Sequence, residues 1–100
     1  MATLYIEEFG DAGPGRGGQM VQAGAQPSIA VQTVAIGATS AQSAAFNAAT
    51  RLVRIHTDAA CSYLFGADPT AAATSPRLAT DSTEYFSVVP GHKVAVIEND

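Results

Sequence analysis

The sequence has no tryptophan, one cysteine and only five lysine and arginine residues in 100 positions. A single cysteine excludes a disulfide within the chain. Five cations stand against nine carboxylates, a formal net charge of −4. A duplex-binding surface needs clustered positive charge to displace counterions from phosphates, and with no basic run present no direct nucleic-acid partner is expected. No apolar span of about 20 residues occurs, so no membrane helix is expected either. The opening residues, MATLYIEEFG, carry no basic region followed by a long apolar core, and the expectation is a soluble chain made in a reducing cytoplasm.

The motifs of catalysis and cofactor binding are missing as well. Gly13, Gly15, Gly17 and Gly18 surround Arg16 in the manner of a phosphate loop. There is no GK[ST], no GxGxxG and no helix of convincing quality after them, so no nucleotide site is read there. His56 and His92 are the only imidazoles. His56 and Cys61 fall on opposite strand faces by parity and no ligand spacing recurs, so no metal is expected. His56, Asp58 and a serine can be written as a triad, but no nucleophile elbow accompanies them. Glu7 and Glu8 adjoin in sequence, which in a strand sends them to opposite faces. Cys61 lies on an apolar face with nothing nearby in sequence to lower its pKa, so a buried, inert thiol is expected. Neither an enzyme nor a cofactor is read from these residues.

What the chain does contain is alternation. Arg51 to Phe65 places Val53, Ile55, Thr57, Ala59, Cys61, Tyr63 and Phe65 on one parity and Arg54, His56, Asp58 and Ser62 on the other. That is the pattern of a half-buried strand pair. Thr50–His56 and Ala59–Phe65 are read as the central strands, with a reversal at Thr57-Asp58. One long bent strand is the alternative, since the parity continues unbroken. Ala2–Glu8 reads as a first strand at a sheet edge. Phe9 to Gln26 is glycine-dense and poor in large apolar residues, and reads as an extended arm or long loop, either functional or ordered by a neighbouring chain. Ser28–Ile36 is a strand whose apolar register slips near Gln32 or Thr33, as at a bulge or in a strand buried on both faces.

Ala41 to Ala49 fits either a helical stripe or a short strand, Gln42–Phe46, with a turn at Asn47–Ala49; the strand is preferred. Gly66 to Pro76 reads as an exposed loop and Arg77–Leu78 as a brief strand. A turn at Asp81–Thr83 leads into Glu84–Val89, and Pro90-Gly91 is a strong turn closing a terminal hairpin with His92–Glu98. The sum is one all-β domain over 1–100, a small antiparallel β-sandwich of seven or eight short strands, jelly-roll or Ig-like, with 9–26 as a Gly-rich N-terminal arm. Hydrophobic residues make up 47% of the chain, but many are alanine, so each buried position contributes little apolar area and stability should lean on assembly.

The run SAAFNAATRLVRIHTDAACSYLFGADPTA, then a short Arg-Leu segment, then TEYFSVVPGHKVAVIEN, resembles a recurrent type of small virion-associated protein of tailed bacteriophages. The resemblance covers roughly Ser43 to Asn99. It implies a structural role, most like a capsid decoration (cement) protein at the virion surface, made in the host bacterial cytoplasm. The partners implied are the major capsid protein and further copies of the chain, with a trimer favoured. A head–tail joining or tail-associated protein is the alternative, and a host-surface or carbohydrate-binding module a second. The absence of tryptophan speaks against the last, because sugar platforms expose aromatics. The contacts expected from the residues themselves are Tyr5, Ile6, Phe9, Arg16, Met20 and Val21 in the arm and its approach. Arg54 is added as a candidate intersubunit salt bridge with Asp58 or Glu84.

Overall fold

The computed structural model describes residues 2–10, 12–14, 20–24 and 27–100, giving 12–14 and 20–24 as strands without side-chain surroundings. In chain order the strands are β1 (Thr3–Phe9), β2 (Ala12–Pro14), β3 (Met20–Gly24), β4 (Ala30–Ala35), β5 (Ala41–Gln42), β6 (Leu52–Thr57), β7 (Cys61–Gly66), β8 (Arg77–Leu78), β9 (Thr83–Ser87) and β10 (Lys93–Glu98). No helix occurs among the described residues. The strands form two four-stranded sheets, ordered β4-β1-β6-β9 and β5-β10-β7-β8, and a separate β2-β3 pair. Every pairing is antiparallel.

The alternation of the sequence builds the core. Leu4, Ile6, Val34, Ile36, Val53 and Ile55 from the first sheet and its flank meet Phe46, Cys61, Leu78, Val94 and Val96 from the second. This is the arrangement of a small sandwich, in which the inner faces of two sheets interdigitate. Pairing is nested: β7 pairs β8, β6 pairs β9, and β5 pairs β10. The connections β4–β5, β5–β6, β6–β7, β8–β9 and β9–β10 all pass from one sheet to the other.

That winding corrects several expectations. β6 and β7 do not pair; they lie in different sheets, and 58–60 is the corner between them. The parity nevertheless runs on through the corner, with Val53, Ile55, Thr57 and Cys61 all buried and Tyr63 and Phe65 packed against the same core. Thr57 fastens the turn. Its hydroxyl donates to the Ala59 carbonyl, and accepts from the Ala59 amide and from the Cys61 thiol. The Pro90-Gly91 turn forms, with Gly91 at φ 83° and the His92 amide donating to the Val89 carbonyl at 3.1 Å. It joins two sheets, however, and closes no hairpin: β9 pairs β6 while β10 pairs β5 and β7.

β1 is internal, flanked by β4 and β6, and not the edge strand expected from its position in the chain. The register of β4 on β1 is continuous from Thr3 opposite Ala35 to Glu8 opposite Ala30, so the anticipated bulge near Gln32 is absent. The expected strand over 42–46 is confined to Ala41–Gln42. Beyond it the chain still follows β10, through the Ser43 amide to the Val94 carbonyl and the Phe46 amide to the His92 carbonyl, each 2.8 Å. The turn read at Asn47–Ala49 forms, with the Ala49 amide donating to Asn47 Oδ1. Finally, 67–76 is no freely exposed loop. Gln42 Nε2 donates to Asp68 Oδ1 and the Pro69 carbonyl, the Ala71 amide donates to Ser40 Oγ, and Asn99 Nδ2 donates to Ser62 Oγ and the Ala73 carbonyl. These ties draw the loop across the outer face of the second sheet, where outward-parity Ser62 and Ala95 are fully buried.

Candidate interaction surface

With the second sheet partly covered on its outer face, where Leu64 opposite Ala95 stays exposed, the first sheet carries the more open one. Its outward parity aligns two rows: Thr33, Tyr5, His56 and Thr83, and beside them Val31, Glu7, Arg54 and Tyr85. His56 Nδ1 lies 2.8 Å from Thr83 Oγ1, and the Tyr5 ring is tilted 6.3 Å from the imidazole. Tyr5 is 45% exposed, and Val31, at the rim, is 71% exposed. Ile29, just before β4, is exposed too.

The residues expected to make contacts are spread over three environments. Tyr5 is on this face. Arg54 is also on it, half-buried, with Glu7 and Tyr85 as its cross-strand neighbours within the chain. Asp58 accepts the Thr3 amide at 2.7 Å at the corner, and Glu84 stands opposite Ile55 on the other parity. Ile6 and Phe9 are 2% and 1% exposed, so their side chains serve packing and are not available at the surface. Phe9 closes the end of β1 and does not begin the arm. Arg16 lies outside the described residues, as do the side chains of Met20 and Val21 in β3.

Two features escaped sequence reasoning. One is the exposed Ile29 and Val31, whose signal was the apparent register slip: apolar residues on odd positions, then on even ones, along a strand that does not bulge. The other is Glu8, on the inward parity and 2% exposed. Its Oε1 accepts the Asn47 amide at 2.9 Å and the Thr50 hydroxyl at 2.8 Å, and its Oε2 accepts Gln32 Nε2 at 3.1 Å. Gln32 in turn accepts the Ala44 amide. The network ties the 44–50 segment to β1 and β4. Such hydrogen bonding is what makes a buried acid tolerable.

Cys61 is fully buried. Burial pushes its thiol above the ordinary value of 9.0, partly offset by the hydrogen bond to Thr57 and the charge of Arg77. Burial likewise raises the Tyr63 hydroxyl, helped by Glu84 and Cys61. Groups whose folded pKa is raised stabilise fully below the unfolded pKa, and that contribution is lost as pH rises through the folded value. Stability is therefore expected to fall above about pH 9, less steeply in Cys61→Ala, as read from urea midpoints across pH 7 to 11. A thiol reagent should leave the native protein unmodified at pH 7 and label it in denaturant. Rapid native labelling would refute the assignment of Cys61 as a closed core thiol.

Among the described residues no pocket opens in the surface and no group of three His, Cys, Asp or Glu side chains could hold a metal ion. Among the described residues no helix is long and apolar enough to cross a membrane. Comparison with protein families, with curated proteins and with solved structures found no match.

Proposed function

We propose that this chain is a structural virion protein of a tailed bacteriophage that binds the outside of the capsid shell and bridges major capsid subunits, as a decoration protein. The reading starts from the resemblance over Ser43 to Asn99. The observation that best supports it is the lopsided sandwich, with one sheet partly covered by the 67–76 loop and the other presenting Tyr5, Val31 and Arg54 on a more open face. An open sheet face with exposed Tyr5 and Val31 suits docking onto another protein. In this reading the sandwich is a jelly roll, since nested pairs wound alternately into two sheets are what folding one long hairpin over itself produces. The Gly-rich segment that follows Phe9, which includes the β2-β3 pair, acts as an arm that grips the shell by strand pairing.

Copy number in purified particles tests this. Hundreds of copies per particle, released by mild denaturant while the shell survives, are expected. A count near six or twelve would overturn decoration in favour of a head–tail joining protein. Absence from particles would overturn both.

A further inference from the structure

We infer that β4 is a self-pairing edge, and that two copies of this chain join through it antiparallel about a two-fold axis at Thr33, fusing their first sheets into one. The inference stands apart from the capsid reading and does not need it.

The free edge follows from the ladder. In an antiparallel pair, residues alternate between those whose amide and carbonyl both point at the partner strand and those whose groups point away. The Ile36 amide donates to the Ala2 carbonyl at 3.0 Å, and Ile36 opposite Ala2 continues the β1–β4 register. Val34, Gln32 and Ala30 therefore turn their backbone groups toward β1. Val31, Thr33 and Ala35 turn theirs outward, to the side where no described strand lies.

Exposed edges are ordinarily blunted by charge, proline, bulges or brevity. The other described edges show such features: β5 and β8 are two residues long, β9 carries Glu84, and in the β2-β3 pair β2 is three residues long with Pro14 and the register shifts. β4 shows none. It is six residues long, AVQTVA, without charge or proline, and its register on β1 is unbroken. Its outward side chains include Val31, the most exposed of the large hydrophobics, with exposed Ile29 just before the strand.

Charge selects the occupant. Residues 17–50 contain no Asp, Glu, Lys, Arg or His, so all of the chain's net −4 derives from elsewhere. A charged partner strand would lose solvation at this edge and find no counter-charge on it. A second β4 brings neither charge nor mismatch, although the two chains carry the same net charge. A two-fold interface uses the same patch on both copies. Backbone parity requires Val31, Thr33 and Ala35 to pair among themselves. An axis at Thr33 sets Thr33 opposite Thr33 and Val31 opposite Ala35, forming about six backbone hydrogen bonds. Antiparallel self-pairing closes at two copies, so this contact makes a dimer and not the trimer expected from the resemblance.

Three measurements test it on the full chain. Sedimentation equilibrium should show a monomer–dimer equilibrium, and Val31→Lys should shift it to monomer at least tenfold in Kd. Hydrogen exchange on the unaltered protein needs no variant: the Val31, Thr33 and Ala35 amides should become protected as concentration rises, with little change at Val34. Thr33→Cys should oxidise to a disulfide-linked dimer, because directly opposed residues in such a pair lie about 5.5 Å apart at Cα. Val31→Cys, opposite Ala35, should not. A protein monomeric at millimolar concentration, a trimer, or association undiminished by Val31→Lys with those amides unprotected would each overturn the inference.

Discussion

Replacing Glu8 with alanine is expected to destabilise the protein by about 3 kcal/mol, with a fall in Tm of roughly 10–25 °C for a domain of this size. The size follows from what is stranded. Glu8 Oε1 is the acceptor for both the Asn47 amide and the Thr50 hydroxyl. Thr50 is fully buried and cannot turn to water. A buried donor left without a partner costs about 1–3 kcal/mol. Gln32 is half-buried and keeps its second tie, its Oε1 accepting from the Ala44 amide, so it adds less. Glu8→Gln keeps the shape but turns an amide donor toward one of three donors, and should cost about 1–2 kcal/mol. Urea unfolding of the two variants beside the parent checks the order. A loss below about 1 kcal/mol in Glu8→Ala would mean that the network is redundant.

Glu8 also marks where sequence reasoning stops. Parity alone placed Glu7 and Glu8 on opposite faces, and the structure has Glu7 half-buried on the outer parity and Glu8 deep inside. The shared parity with Leu4 and Ile6 points Glu8 inward, but that it would be deeply buried was not legible, because an acid is normally exposed. Its donors come from residues 24, 39 and 42 positions away. No local pattern records such a convergence.

The same distinction runs through the fold. Strand identity was legible wherever side chains alternate: Leu4 and Ile6, Val53 and Ile55, and Val94 and Val96 all face the core. Partner identity was not. Adjacent strands invite a hairpin, and both 50–65 and 84–98 were read that way. A nested winding pairs β6 with β9 and β5 with β10 across long separations, which periodicity within a strand cannot reveal. β4 misled for a different reason. Its odd apolar residues suggested a bulge or a strand buried on both faces. Val31 is instead exposed on a strand of continuous register, with Ile29 exposed just before it, and the slip located the most exposed apolar edge of the described residues. The sites proposed in the Gly-rich arm fared differently, since Arg16 and the side chains of Met20 and Val21 lie outside what the structure describes.

Phe46→Ala is the other large expected loss, about 3–5 kcal/mol. The residue sits where sequence preference was most divided, in an alanine-rich run that could be read as helix or strand. The structure makes it neither: Phe46 is in irregular chain, 3% exposed, with its ring 6.2 Å from that of Phe65. Phe65 in turn packs on Tyr63 and Phe86 at 5.9 and 5.2 Å, so Phe46 anchors one end of an aromatic row spanning both sheets. Its backbone is held as well, donating to the His92 carbonyl and accepting the Gly91 amide at 3.2 Å. Most of its core neighbours, such as Ile36, Leu78, Val94 and Val96, sit on or beside strands of the two sheets, which limits their collapse into the space a phenyl ring leaves and favours the upper half of the range. Phe46→Leu, which retains most of the volume, should lose less than half as much. If alanine and leucine proved equally damaging, the ring's edge contacts would matter more than its volume, and a double-mutant cycle with Phe65→Leu would measure that term directly.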